Sequence, residues 1–442
     1  MNQISTEPIG RDIFNYSVLA LPLAFVGLPL YIHAPDFYAT HQGVSLSLLA
    51  MLLLGLRVFD AVQDPIIGIV SDRLSAHRFP LMLASLAVLA ISFYALFTPP
   101  DNNIALWFAA MMLLATSAFS ILTVNLNALG ALWSNDASQQ SRITTWREGC
   151  ALLGLTCAVV FPSLLQQKVS VEESFSGMGL LLIILSALAF WRFAQWYKAH
   201  SKQAGKGETQ TRHSFWRIIK QTSPALRKFY AIYAVSMVAS AMPAVLVLFF
   251  IRDLLGLEEY AGLFLLTYFL AGVVAMPLWK NLSQRYGSES AWLISMLIAV
   301  VSFIGAFFLG QGDMVAYLII CLISGAALGG DLSLPPAILA AHIHSQNTQH
   351  SASSQFALLT FLSKTALALA AILTLPLLEK MGFVAASDNS AAALMALSIV
   401  YALIPCLMKI TAAFMLWRFV VKGERNEKDY NSNNDRSGHH AQ

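Results

Sequence analysis

The chain has 442 residues, of which 57% are apolar and 12% charged, and its formal net charge is +3. That charged share is about half the usual one for a soluble domain, and mean hydropathy is +0.63. Too few polar residues remain to cover a water-facing surface, which excludes an ordinary soluble protein and points to one embedded in a bilayer.

Apolar windows of roughly twenty residues fall at 14–34, 44–71, 80–98, 104–132, 144–166, 175–197, 229–251, 260–279, 291–311, 314–339, 355–378 and 390–417. They predict an all-α integral membrane protein with twelve transmembrane helices. The N-terminus is polar and the first apolar run is of spanning length, unlike a cleavable signal peptide.

The second window holds "GLRVFDAVQDPIIGIVSDR" (55–73), with three charges in an apolar setting. Each costs about 2.5–3.5 kcal/mol at the centre of a bilayer, so it must be compensated or used. Residues advance about 100° each on a helix, which puts Arg57, Asp60 and Asp64 within an arc of roughly 60°. That face should look into the bundle. Asp60 and Asp64 form an i, i+4 pair with Cβ atoms about 5–6 Å apart. Two such carboxylates in a poorly solvated site repel, so one takes a proton or a cation sits between them. Arg57 neutralises one and leaves a surplus; Gln63 offers a further oxygen. A site for H⁺ or Na⁺ follows, with Asp60 and Asp64 the metal ligands if the ion is sodium. A static ion-pair network is the alternative.

Further along, "KAHSKQAGKGETQTRHSFWRIIKQTSPALRK" (198–228) is polar and basic and leaves six windows on either side. "SFWRIIKQ" within it has the pattern of a short amphipathic surface helix, or of a plain linker. The expected units are 1–197, the linker 198–228, a second bundle 229–421, and a disordered tail 422–442. A shift of 212 residues lays "PIIGIVSDR" (65–73) on "PLWKNLSQR" (277–285), matching Pro65 to Pro277 and Arg73 to Arg285. The same shift sets Arg57, Asp60 and Asp64 opposite Phe269, Gly272 and Met276, so the charges are not needed merely to build the helix. Two pseudo-symmetric six-helix bundles are expected, as in many transporters.

Three later charges fall inside windows. Lys364 in "FLSKTALALA" needs an acid or a hydrated cavity, or snorkels to an interface. Asp331 in "GGDLSLPPAIL" is a candidate partner carboxylate in the cavity, or a helix-end cap. Lys409 has no obvious partner and is expected to snorkel. His342, His344 and His350 read as solvated loop residues. The four cysteines, Cys150, Cys157, Cys321 and Cys406, lack metal-ligand spacing and imply no disulfide framework.

With both termini cytoplasmic, 21 of the 27 Lys and Arg residues fall on cytoplasmic segments. The positive-inside rule therefore selects that orientation, and the net charge needs no nucleic-acid surface. No catalytic triad spacing and no nucleotide-binding loop is present, which argues against an enzyme and against a primary pump.

"RVFDAVQDPIIGIVSDR" resembles the signature of the glycoside–pentoside–hexuronide:cation symporters, melibiose-permease relatives within the major facilitator superfamily. The match lies at Arg57, Asp60, Ala61, Asp64, Pro65, Gly68, Asp72 and Arg73. "NALGALWSNDASQQSRITTWREG" (127–149), "GGDLSLPPAILAAH" (329–342) and "FLSKTALA" resemble further parts of that family. The resemblance implies the major facilitator fold with alternating access, and a coupling cation at Asp60 and Asp64. Arg147 and Lys364 would approach the central cavity. Gly68, Asp72 and Arg73, with Arg285 at the repeated position, would latch the cytoplasmic ends. The family's sugar-binding acids are not kept. The first window has none before Asp36, and the fourth offers only Asn125 and Asn127 to the cavity.

The expectation is a cation-coupled (H⁺ or Na⁺) secondary symporter of a small organic solute, such as a sugar or glycoside, in a bacterial inner membrane. A lipid-like solute, or a non-transporting receptor on the same fold, is the alternative. A monomer in the lipid bilayer is expected, with no cofactor and no nucleic-acid partner.

Overall fold

The computed structural model describes residues 10–40, 42–165, 171–204, 223–385 and 387–421. Most of the expected linker, including "SFWRIIKQ", and the tail 422–442 lie outside the described residues. Among the described residues every regular element is helical. The first half comprises α1 (Gly10–Ser17), α2 (Ala20–Leu28), α3 (Ala34–Thr40), α4 (Leu46–Arg73), α5 (Arg78–Leu96), α6 (Ile104–Trp133), α7 (Ala137–Leu165) and α8 (Val171–Ala204). The second comprises α9 (Pro224–Phe249), α10 (Ala261–Tyr286), α11 (Ser288–Phe303), α12 (Met314–Ser345), α13 (Ala352–Lys380), α14 (Ala391–Ser398) and α15 (Ile404–Leu416).

These helices make twelve crossings, six in each half. Among the described residues nine helical runs are long and apolar enough to span a membrane by length and composition. α4, with 28 residues, is about 42 Å long and exceeds a hydrocarbon core of about 30 Å. The first crossing departs most from expectation. It begins at Gly10, passes a π-helical turn at Pro29–His33 and continues to Thr40. Pro29 and Pro35 supply no backbone N–H, which explains the irregular register there.

Each half has its own aromatic-rich core. Tyr16 packs at a tilt against Trp196 and Trp133 in the first half, and Phe250 stacks on Tyr401 in the second, with centroids 4.0 Å apart. Outward faces remain apolar, with Leu54, Ile91, Ile184 and Val301 all exposed, as lipid-facing residues must be.

The halves meet along two antiparallel helix pairs. On α4 and α13, residue 64 meets 364, 68 meets 357, and 72 meets 353 and 354. On α7 and α10, Gly149 lies against Met276 and Leu152 against Gly272. The first contact runs down to the end carrying Arg73 and Arg78, called here the basic end, while the second lies near mid-helix. Away from it the same faces lose cover. On α13, Ala357 is buried, whereas Ala368 and Leu375 on that face are exposed. The halves are therefore shut at the basic end and part toward the other.

Candidate functional site

Asp60 and Asp64 lie one turn apart on α4 and face the other half rather than lipid. Their side chains are 4% and 0% exposed. The cation that meets them is Lys364 of α13. Its Nζ donates to Asp60 Oδ1 at 2.7 Å, to Asp64 Oδ1 at 2.9 Å and to Ser120 Oγ of α6 at 2.8 Å. All three ammonium hydrogens are used. Gln63 Nε2 donates to Asp60 Oδ1 at 2.8 Å, and Ser117 Oγ donates to Gln63 Oε1 at 2.7 Å. Asp64 Oδ2 is buried and has no hydrogen-bond partner among the described residues.

A bridging charge comes from Lys364, 300 residues away, which therefore does not snorkel, and Arg57 sits half-buried one turn nearer the start of α4. Two carboxylates share one ammonium, so the trio keeps one negative charge, and Asp64 Oδ2, though buried, stays unserved. An orphaned buried acceptor is costly and calls for a partner. Among the described residues no group of three or more His, Cys, Asp or Glu side chains is placed to hold a metal ion.

At the basic end the same helix pair forms a latch. α13 begins without a side-chain cap of its own, leaving the N–H groups of its first turn to find partners elsewhere. Asp72 of α4 provides them from the other half. Its carboxylate accepts from Ser353 N and Ser354 N, both at 2.9 Å, and from Ser354 Oγ at 2.5 Å. An acid at a helix N-terminus also meets the positive end of the helix dipole. Gly68, one turn earlier, lets the helices close. A Cβ there would lie 2.6 Å from that of Ala357 and 2.8 Å from Ser354 Cα.

Arg78 of α5 completes the latch and went unremarked in the sequence pattern. It is buried, and its Nη2 donates to Ser353 Oγ at 2.9 Å and meets Asp72 at 3.5 Å. The arginines expected to do this work sit elsewhere: Arg73 is exposed, and Arg285 lies 5.2 Å over its neighbour Tyr286. His344 is not a solvated loop residue. It ends α12 and donates from Nε2 to Ala131 O of the first half at 2.5 Å. His342 approaches Ser223 at 3.3 Å.

The remaining candidates are dispersed. Arg147 is buried and bound to Glu148 at 2.6 Å. Asn125 donates to Ser71 Oγ and to Ile121 O, each at 2.8 Å, fastening α6 to α4, while Asn127 is half-buried. Asp331 lies inside the second half, away from Asp60 and Asp64. It pairs with Lys409, which also donates to Ser236 and Ser240 at 2.9 Å. Lys409 therefore does not snorkel. Trp292 Nε1 and Ser295 Oγ serve the other oxygen of Asp331.

Residues 13–423 match the family described as MFS/sugar transport protein. The chain belongs to that family, a family of transporters rather than enzymes. Among MFS/sugar transport relatives, the inner membrane symporter YicJ of Escherichia coli (strain K12) is 23% identical over 304 residues, covering 65% of this chain and 64% of that protein. The match thus spans just under two thirds of that relative's length. The uncharacterized symporter YnaJ of Bacillus subtilis (strain 168) is 22% identical over 85% of this chain and 84% of its own. A bacterial homologue of the iron transporter ferroportin, solved facing outward, superposes with a TM-score of 0.67 at 13% identity, covering 95% of this chain and 99% of its own. The E. coli fucose:proton symporter FucP gives 0.62 at 13% identity over 91% and 97%. These structural likenesses establish the major facilitator fold.

Proposed function

We propose that the protein is a proton-coupled symporter that carries a small organic solute by alternating access. The observation that carries this reading is the Asp60–Lys364–Asp64 bridge across the two halves, with one carboxylate oxygen left without a partner. Lys364 ties α4 to α13 while both acids are ionised. A proton on Asp64 Oδ2 removes one of the two charges that hold the ammonium. The tie between the halves loosens, and solute binding then completes the repacking. A proton needs a single oxygen, whereas a hard metal ion gathers several. Here Lys364 already occupies the facing Oδ1 atoms, which favours H⁺ over Na⁺. The symporter names of both curated relatives support the transport reading.

The Lys and Arg bias assigns the basic end to the cytoplasm of a bacterial inner membrane. The conformer described here is then shut inward and open outward. The family's description makes sugar-like solutes the first to test.

The test is gradient-driven accumulation of a sugar and sugar-acid panel by the full chain in proteoliposomes. The expected result is uptake driven by an inward proton gradient and not by sodium at constant pH. Asp64→Asn should lower it at least about a hundredfold, as expected when more than about 2.7 kcal/mol of coupling is lost. Sodium-driven uptake at constant pH would overturn the proton assignment. Binding without accumulation of any panel member would favour a receptor and overturn symport.

A further inference from the structure

We propose that His344 is a second proton site, separate from the acid pair, through which protons at the basic end tighten the contact that shuts that end. With the basic end in the cytoplasm, protons delivered by symport then slow the next inward opening. That feedback rests on the symport and orientation reading above; the proton site itself does not.

His344 lies in the last turn of α12 and reaches across the halves. Its Nε2 is 2.5 Å from Ala131 O, in the last turn of α6. A carbonyl only accepts, so Nε2 carries the hydrogen. On the other side of the ring, Nδ1 lies 3.3 Å from Gln349 Nε2. An amide nitrogen only donates, so Nδ1 accepts and the ring is neutral in this conformer. A proton arriving at Nδ1 needs only a half-turn of the Gln349 amide, which then offers Oε1 as acceptor.

Protonation makes the cross-half bond charge-assisted, and such bonds are roughly twice as strong as neutral ones. The receiving carbonyl is well placed for a cation. α6 ends at Trp133 and α12 at Ser345, so two helix C-termini converge on the imidazole, each with partial negative charge. Ala128 and Ala131 are buried in the core of the second half. The end of α6 therefore leaves that core only when the halves part, and breaking the His344 bond belongs to the same event.

Access differs from that of the acid pair. His344 is half-buried and is followed by the exposed Ser345, Gln346 and Asn347, whereas the Asp64 side chain is sealed. Protons at the basic end reach the ring without entering the bundle. Neighbouring charges do not substitute for it. α6 carries no charged residue. At this end the other elements packed on α12 bring Arg142 of α7, Lys280 and Arg285 of α10, Glu289 of α11 and, just before α13, His350; α12 itself adds His342. Arg285 is turned over Tyr286, Arg142 toward Gly10, and His342 toward Ser223 of its own half. Among the described residues no carboxylate pairs with His344, so the two helix ends, and no ion pair, receive the charge.

The test uses the full chain with its native cysteines replaced by serine. Spin labels are placed through Ala76→Cys and Gln284→Cys, exposed positions at the basic end of opposite halves. Distances are read by double electron–electron resonance at about pH 8 and about pH 6, which bracket imidazole titration. Both wild type and Asp72→Ala, which raises the open fraction, are measured. Acidification should raise the ratio of shut to open populations about fivefold, the step from a neutral to a charged hydrogen bond. His344→Gln keeps a donor nitrogen without a titration, and should stay shut while losing the response. His342→Gln and Asp64→Asn should keep it. No response in either background, a response that opens the end in acid, or a response kept by His344→Gln and lost in Asp64→Asn overturns the site and leaves symport intact. Protection of the label at 284 from ascorbate added outside right-side-out vesicles is expected. Its reduction there would overturn the orientation and with it the feedback, whatever the distances show.

Discussion

Two buried acid–lysine clusters lie in this bundle, and they are built for opposite ends. In the second half, Asp331 and Lys409 balance one charge against one. The lysine's other hydrogens go to Ser236 and Ser240, and the acid's other oxygen accepts from Trp292 and Ser295. All of these residues belong to one half. Between the halves, Asp60 and Asp64 compete for one lysine, and Asp64 Oδ2 goes unserved. A balanced and saturated pair has nothing to gain from a passing ion. In the proposed cycle, an unbalanced pair bridging the two halves changes its grip when a proton arrives. Partner count and location, not burial, separate a pin from a switch.

The sharpest way to break this comparison is to remove one member of each cluster. Lys409→Ala strands Asp331 and two serines inside the second half, and loss of one partner from a buried pair costs about 3–5 kcal/mol. The expected outcome is a large fall in thermal stability of the detergent-solubilised protein, partly restored by adding Asp331→Leu. Asp64→Asn does the reverse. It leaves Lys364 balanced by Asp60 and should hold stability within about 1 kcal/mol while transport is lost. Equal destabilisation by Lys409→Ala and Asp64→Asn would erase the distinction.

A second contrast concerns how helices that begin at the basic end are capped. α7 is capped from within its own chain segment, where Asp136 accepts from Ser138 N at 3.3 Å and Gln139 N at 3.2 Å. α13 is capped from the opposite half by Asp72. A local cap survives any rocking of the halves; a cap lent across the interface breaks when they part. Asp72→Ala should therefore favour opening of the basic end by about 1.5–3 kcal/mol, roughly a ten- to 150-fold shift in the equilibrium. Faster labelling of a cysteine placed at Ala357, in a background without the native cysteines, would report it. Asp136→Ala should cost about 0.5–2 kcal/mol of stability without changing that labelling. Gly68→Ala should act like Asp72→Ala but more weakly, because the added methyl presses on Ala357 and Ser354, and overpacking costs about 1–3 kcal/mol.

The acid pair was legible because it depends only on helix periodicity within one segment. Residues 60 and 64 share a face in any helix, and their charges exclude lipid. The twelve crossings were legible for a similar reason, since a bilayer imposes length and apolarity locally. Partners were harder. The ammonium that bridges Asp60 and Asp64 belongs to a helix 300 positions away, which proximity in the chain does not reveal. Lys409 looked solitary because Asp331 is 78 residues off on another helix. Such pairings follow from how helices dock, which hydropathy does not encode. Arg78 was missed because a lone arginine at a span boundary reads as an ordinary positive-inside residue. Only docking of α13 against α4 shows that it is buried.

The repeat itself gives the smallest prediction. Arg285 stands at the position that the 212-residue shift matches to Arg73, and sequence symmetry would give both a share in the latch. The structure gives that share to Arg78 instead, and leaves Arg285 exposed over the ring of Tyr286. An exposed cation–π contact of this kind contributes about 0.5–1 kcal/mol. Residue 284, which corresponds to Asp72, is Gln284, so the second half lacks the carboxylate that a latch arginine would support. Arg285→Ala should thus change stability by less than about 1 kcal/mol and leave both transport and labelling at position 357 near wild-type levels. Arg78→Ala, measured beside it, should raise that labelling, because it takes a hydrogen bond from Ser353 and a counter-charge from Asp72. A strong effect of Arg285→Ala would show that the symmetric latch forms in another conformer, when the halves close at the opposite end.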